Sequence, residues 1–121
     1  MPFELRTTAA FERDLRRVKK QRKDLDKLEA VVNLLEEQQP LPPRCRPHPL
    51  RGSWSGHWDC HIEPDWLLLY KVTDQTLILV RTGSHAELFE REAVYHTQKP
   101  PEAEENVALS GPTLSSARRD T

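Results

Sequence analysis

The stretch GHWDCHIEPDWLLLYKVTDQTLILVR, residues 56–81, decides the fold. It holds three strand candidates, at 56–62, 66–72 and 77–81, rich in β-branched, aromatic and leucine residues. The breaks between them are short and of turn composition, Glu63-Pro64-Asp65 and Thr73-Asp74-Gln75, so neighbouring strands are predicted to pair antiparallel. In the first candidate a period of two puts His57, Asp59 and His61 on one face and Trp58, Cys60 and Ile62 on the other. The second set reads as core and the first as a place for proton chemistry.

Upstream, Phe3 and Leu5 alternate with polar neighbours, as in a short strand. Thr7 or Thr8 is placed to cap a helix on which Phe11, Leu15 and Val18 recur at helical spacing. Asp24 caps a second helix, with Leu25, Leu28, Val31, Val32 and Leu35 as its apolar stripe. Pro40, Pro42 and Pro43 end it, and a loop rich in Pro and Arg leads to Pro49. Two early helices and a late meander predict an α+β domain, a small twisted antiparallel sheet with two N-terminal helices packed on it.

The chain's 121 residues allow one domain, placed at 1–90. Residues 91–121 are rich in Pro, Glu, Ser and Thr, too poor in large apolar groups to offset the entropy of ordering, and are expected to form a flexible tail. A short helix through Leu88, Phe89 and Tyr95 packing back on the body is the other reading of its start. No stretch approaches the roughly 20 apolar residues that span a bilayer, and the first residues lack an export signal, so a cytoplasmic location is expected. Cys45 and Cys60 are accordingly read as free thiols.

The net charge of −1 conceals segregation. Between residues 13 and 27, Arg13, Arg16, Arg17, Lys19, Lys20, Arg22, Lys23 and Lys27 stand against Asp14, Asp24 and Asp26. Such a surface attracts phosphate backbones, with Arg13, Arg16, Arg17, Lys20 and Lys23 as candidate contacts, and it is equally a solvated helical face.

Asp65 follows the first strand, His48 precedes it, and His85 follows the third, so four of the five histidines converge on one sheet edge. A neutral imidazole exchanges protons near neutral pH, and a neighbouring carboxylate orients it. Cleavage of RNA by its own 2′-hydroxyl needs one group to take that proton, another to protonate the departing 5′-oxygen, and a cation for the phosphorane. Arg81 is the candidate cation, or an ordinary strand-end ion pair. Among the aromatics, Trp54 in its Gly-Ser loop is placed near substrate, Trp58 and Trp66 in the core, and Phe89 either against a base or sealing the core. No close Cys spacing marks a structural zinc site, and residues 52–56 lack the lysine of a nucleotide-binding loop, so neither metal nor cofactor is expected.

The runs HPLRGSWSG at 48–56, DCHIEPDWLLLYK at 59–71 and RTGSHAELF at 81–89 closely resemble the YafQ branch of the RelE-like toxins of type II toxin-antitoxin systems. The resemblance implies a ribosome-dependent messenger RNA endonuclease, with function on His48, Asp59, His61, Asp65, His85 and Phe89. In that reading His85 protonates the leaving oxygen, His48, His61 and Asp65 serve the base side or position the RNA, and Asp59 supports the imidazoles. It also implies a cognate antitoxin as partner, ribosome and mRNA as targets, and operator DNA bound only through the antitoxin. His57 stands where a compared relative has an aromatic residue, so it is an additional imidazole at the site or a tolerated substitution. The alternatives are a member of the fold that binds antitoxin or RNA without cutting, and an unrelated zinc-stabilised module.

Overall fold

A computed structural model describes residues 2–89 of the chain. Its elements are β1 (Glu4–Thr7), α1 (Ala9–Lys20), α2 (Leu25–Glu36), β2 (His48–Pro49), β3 (Trp58–Glu63), β4 (Trp66–Thr73), β5 (Thr76–Gly83) and α3 (His85–Phe89). The expected tail at 91–121 and a helix reaching Tyr95 lie outside the described residues.

The helices start where their caps dictate. Thr8 Oγ1 accepts from the Phe11 amide at 2.9 Å and donates to the Val80 carbonyl at 2.8 Å, so one hydroxyl begins α1 and fastens it to β5. Asp24 Oδ1 accepts from the Asp26 amide at 3.0 Å and opens α2. Pro64-Asp65 and Asp74-Gln75 close the two hairpins, leaving Glu63 opposite Trp66 and Thr73 opposite Thr76.

The sheet order is β1-β5-β4-β3-β2. The meander β3 to β5 is antiparallel as expected; β2, in the stretch read as a loop, adds to β3 antiparallel, whereas β1 joins β5 in parallel, Leu5 opposite Leu77. The helices between β1 and the meander return the chain to the same end of the sheet, which is what a parallel neighbour requires.

Both sheet faces are covered. Phe11, Leu15, Val18, Leu28 and Val32 of the helices pack on Cys60, Ile62, Leu68 and Leu79. On the far face Leu67, Leu69, Ile78 and Val80 lie under Trp54 and Leu88, flanked by Leu50 and Phe89. The unbroken run Trp66 to Tyr70, buried at every position, follows from this double cover: a strand with two dry faces does not alternate.

Three expectations are corrected, the first two by that second layer. Trp54, placed near substrate from sequence, is 1 % exposed and anchors the second core. His57 shares the face of Asp59 but precedes β3 and is buried, its ring 5.3 Å from Trp54 and its Nδ1 3.2 Å from the Trp54 carbonyl. Trp58, expected in the core, sits at the open end of β3 and is 39 % exposed.

Candidate active site

The face of β3 away from the helices carries Asp59 and His61, and the neighbouring segments add three residues. β2 sets His48 opposite Asp59, the β3–β4 turn supplies Asp65, and α3 begins at His85. A register shift between His61 and Glu63 marks a bulge beside the turn, a device that re-aims side chains at strand ends.

Each of the three histidines has its Nδ1 engaged. His61 Nδ1 lies 3.2 Å from the Pro64 carbonyl, His48 Nδ1 lies 3.1 Å from the Arg46 carbonyl, and His85 Nδ1 lies 2.6 Å from Asp65 Oδ1. Carbonyl and carboxylate oxygens only accept, so the Nδ1 atoms carry the protons and Nε2 is the nitrogen left for exchange with a substrate. The His61 and His85 rings are 5.7 Å apart, centroid to centroid.

The two carboxylates differ. Asp65 is exposed, and the main-chain and ring hydrogen bonds from His85 hold its carboxyl below the usual range. Asp59 is buried, and burial pushes its carboxyl up against the opposing pull of His48, His61 and His85. His48 Nδ1 stands 3.0 Å from Asp59 Oδ1, an ion-pair distance, yet that oxygen receives no hydrogen bond among the described residues. The ring proton is aimed at Arg46 instead.

A second network holds α1, β5 and α3 together. Arg81, the phosphate candidate, places Nε 2.5 Å from Asp14 Oδ2 and Nη2 3.1 Å from Oδ1, and the Thr82 amide donates to Oδ2 at 3.1 Å. Its fork is therefore the ion pair that was the plainer of its two readings. Arg17 is likewise structural: it bonds Asp14 at 2.8 Å and the Thr82 carbonyl at 2.9 Å, and its Nε lies 3.3 Å from Glu87. Glu87 in turn accepts from the Ser84 amide at 2.8 Å, which fixes the approach to His85. Gly83 runs so close to this network that a Cβ there would lie 2.5 Å from Arg17 Nη2.

Of the other basic candidates, Arg13, Arg16 and Lys20 are exposed on α1, and Lys23 stands 5.6 Å over the Trp66 ring and within electrostatic reach of Asp65. Phe89 is half-buried with its ring 6.1 Å from Trp54, so it seals the second core and keeps one side open. Three cations beside the site escaped the sequence reading as site residues, Lys27, Arg44 and Arg46, which line a hollow with His61. For Arg44 and Arg46 the signal was the Arg-Cys-Arg triplet around a buried residue. Among the described residues no group of three metal-ligating side chains converges.

Residues 3–90 match the family model described as the bacterial toxin of type II toxin-antitoxin systems, YafQ. The mRNA interferase toxin YafQ of Escherichia coli K12 is 46 % identical over 80 residues, 65 % of this chain and 87 % of that protein. The solved E. coli DinJ-YafQ toxin-antitoxin complex has a similar fold, with TM-score 0.68 and 41 % identity over 74 % of this chain and 99 % of that one. YafQ from E. coli BL21(DE3) gives TM-score 0.69 and 41 % identity over 72 % of this chain and 98 % of its own. With the match running through β1 to α3 and including every histidine of the cluster, the chain belongs to the YafQ family of type II toxin-antitoxin toxins.

Proposed function

We propose that this protein is an endoribonuclease that cuts messenger RNA on the ribosome and arrests translation, in the cytoplasm, until a cognate antitoxin covers the site. The observation that carries the reading is the pair His61 and His85, rings 5.7 Å apart, each with Nδ1 tied back and Nε2 left for substrate. Support for the antitoxin comes from the complex that the E. coli relative forms with DinJ. Operator DNA would be reached only through that antitoxin.

In the proposed step His61 takes the proton of a 2′-hydroxyl, with His48 as its neighbour on the base side. The 2′-oxygen attacks phosphorus, the bond to the 5′-oxygen breaks, and His85, acting as the imidazolium with a proton on each ring nitrogen, gives its Nε2 proton to that oxygen. The products are a 2′,3′-cyclic phosphate and a 5′-hydroxyl. Asp65, which accepts from the main-chain N–H and the ring Nδ1 of His85, orients the acid, and buried Asp59 lies between the imidazoles as their counter-charge. Phe89 supports a base from its open side. A metal-free route asks nothing more of the chain than these proton transfers and cationic contacts to phosphate.

The test is induced expression of wild type and His85→Ala followed by mapping of message ends. In-frame cuts within translated regions, lost in the variant, are expected. Intact messages with wild type, or equal cutting by both proteins, would remove the assignment. Cleavage of purified mRNA without ribosomes at an equal rate would remove the ribosome from it.

A further inference from the structure

We propose that the groove between α2, the turn at Pro43–Cys45 and the β3–β4 hairpin binds backbone phosphates of single-stranded RNA, with Arg44 and Arg46 as the phosphate ligands. The inference rests on the reading of His61 as a residue of the cleavage site, because His61 forms part of the groove wall. The groove has a volume of about 440 Å³ and is lined by Lys27, Arg44 and Arg46 together with His61, Glu63 and Pro64.

The charges in it are not equivalent. Lys27 Nζ lies 3.0 Å from Glu63 Oε2, so the acid on the wall is already neutralised by the lysine. Arg44 and Arg46 are exposed, and neither guanidinium is hydrogen-bonded or ion-paired among the described residues. Two guanidinium forks thus remain for an anion, and a fork matches the oxygens of a phosphodiester.

The loop that holds them is built rather than loose. Cys45, between the two arginines, is 1 % exposed and packs in the main core. Its amide donates to the Pro42 carbonyl at 2.9 Å and the Arg46 amide to that of Pro43 at 3.1 Å. Arg46 adopts a left-handed backbone, φ 45° and ψ 57°, which costs a non-glycine residue energy and places its carbonyl 3.1 Å from His48 Nδ1. One residue therefore orients a site imidazole with its main chain and offers a cation to the adjoining groove with its side chain. A chain of phosphates leaving the cleaved bond past His61 enters this groove directly. The adjoining hollow, lined by Ala30, Val31, Leu34, Pro42 and Ile62 with Lys27, Arg44 and Asp26, is mainly apolar and would suit an acidic peptide with apolar side chains, the competing occupant.

The experiment compares wild type, Arg44→Gln/Arg46→Gln and Arg44→Lys/Arg46→Lys, with fluorescein-labelled single-stranded RNA as probe in anisotropy titrations at several salt concentrations. The Gln pair is expected to weaken binding about tenfold or more and to reduce the log–log salt slope by about 1.4, roughly 0.7 per phosphate contact. The Lys pair, which keeps the charges, is expected to restore the slope. Unchanged affinity and slope in the Gln pair overturn the proposal, as does loss of antitoxin affinity with RNA affinity intact, which assigns the groove to a peptide. Arg44→Gln alone, expected to show half the slope change, decides the matter if the double variant fails to fold. Ribosome-dependent cleavage separates the two levels. If wild type cuts and the Gln pair binds and cuts as well, the groove falls and the function stands. If wild type binds as expected but never cuts, the function falls and the groove stands. With both intact, the Gln pair raises KM and leaves kcat near wild type.

Discussion

The ring and the main-chain nitrogen of His85 both bond to one oxygen of Asp65, at 2.6 and 3.0 Å, so the β3–β4 turn and the start of α3 are fixed to each other by a single carboxylate. These bonds hold the Asp65 carboxyl below the usual carboxylate range, the main-chain bond contributing most. A depressed carboxylate stabilises the fold above its ordinary value and loses that contribution only as pH falls through the lowered one. The His85 anchor therefore persists into more acid solution than an ordinary aspartate would allow. Asp65→Asn keeps an oxygen for the bonds but not the charge, and is expected to slow cleavage about 10- to 100-fold, against about 10²- to 10⁴-fold for His85→Ala. Single-turnover rates on ribosome-bound message check this, and equal rates for wild type and Asp65→Asn would detach the carboxylate from the acid.

Burial raises the Asp59 carboxyl above its ordinary value of 3.8 despite three nearby histidines. The folded chain then holds a proton that the unfolded chain has released, so stability falls as pH rises through that window and stays lower above it. Asp59→Asn is expected to raise stability at pH 7 by about 1 kcal/mol while slowing cleavage, and to gain nothing below about pH 3, where both side chains are neutral. Urea unfolding at the two pH values measures the difference. A gain that is larger in acid would reverse the sign of the argument.

Asp14 is 2 % exposed and receives Arg17, Arg81 and the Thr82 amide. Removing one member of such a group strands the others, here with both guanidiniums partly open to water. Asp14→Ala is expected to cost about 2–4 kcal/mol and to loosen the segment leading to His85. Denaturant midpoints give the first, and hydrogen exchange at residues 82–88 the second; a loss under 0.5 kcal/mol would mean water replaces the carboxylate at about no cost.

Trp54 and Trp58 exchange the roles that sequence suggested, and the two are separable by stability alone. Trp54→Ala in the second core is expected to cost about 3–5 kcal/mol, whereas Trp58→Ala at the open strand end stays within about 1 kcal/mol. Thermal unfolding of the two variants decides between them.

The sequence by itself determined β1, the two long helices, the three-strand meander and the candidate chemistry, whereas β2 at His48–Pro49 lies in what reads as a loop. Thr8 and Asp24 announced their helices because capping is a contact over three residues or fewer. The hairpins were legible because Glu-Pro-Asp and Thr-Asp-Gln turns act locally, and period-two alternation correctly put Asp59 and His61 on one face. Tertiary structure decided the rest, since each remaining question depended on what a distant segment covers. The parallel seat of β1, the burial of His57 under Trp54, and the closure of Arg81 on Asp14 across 67 residues are set by packing between segments far apart in the chain. Periodicity tells which way a side chain points from its own strand; only the folded chain tells whether water or another layer is waiting there.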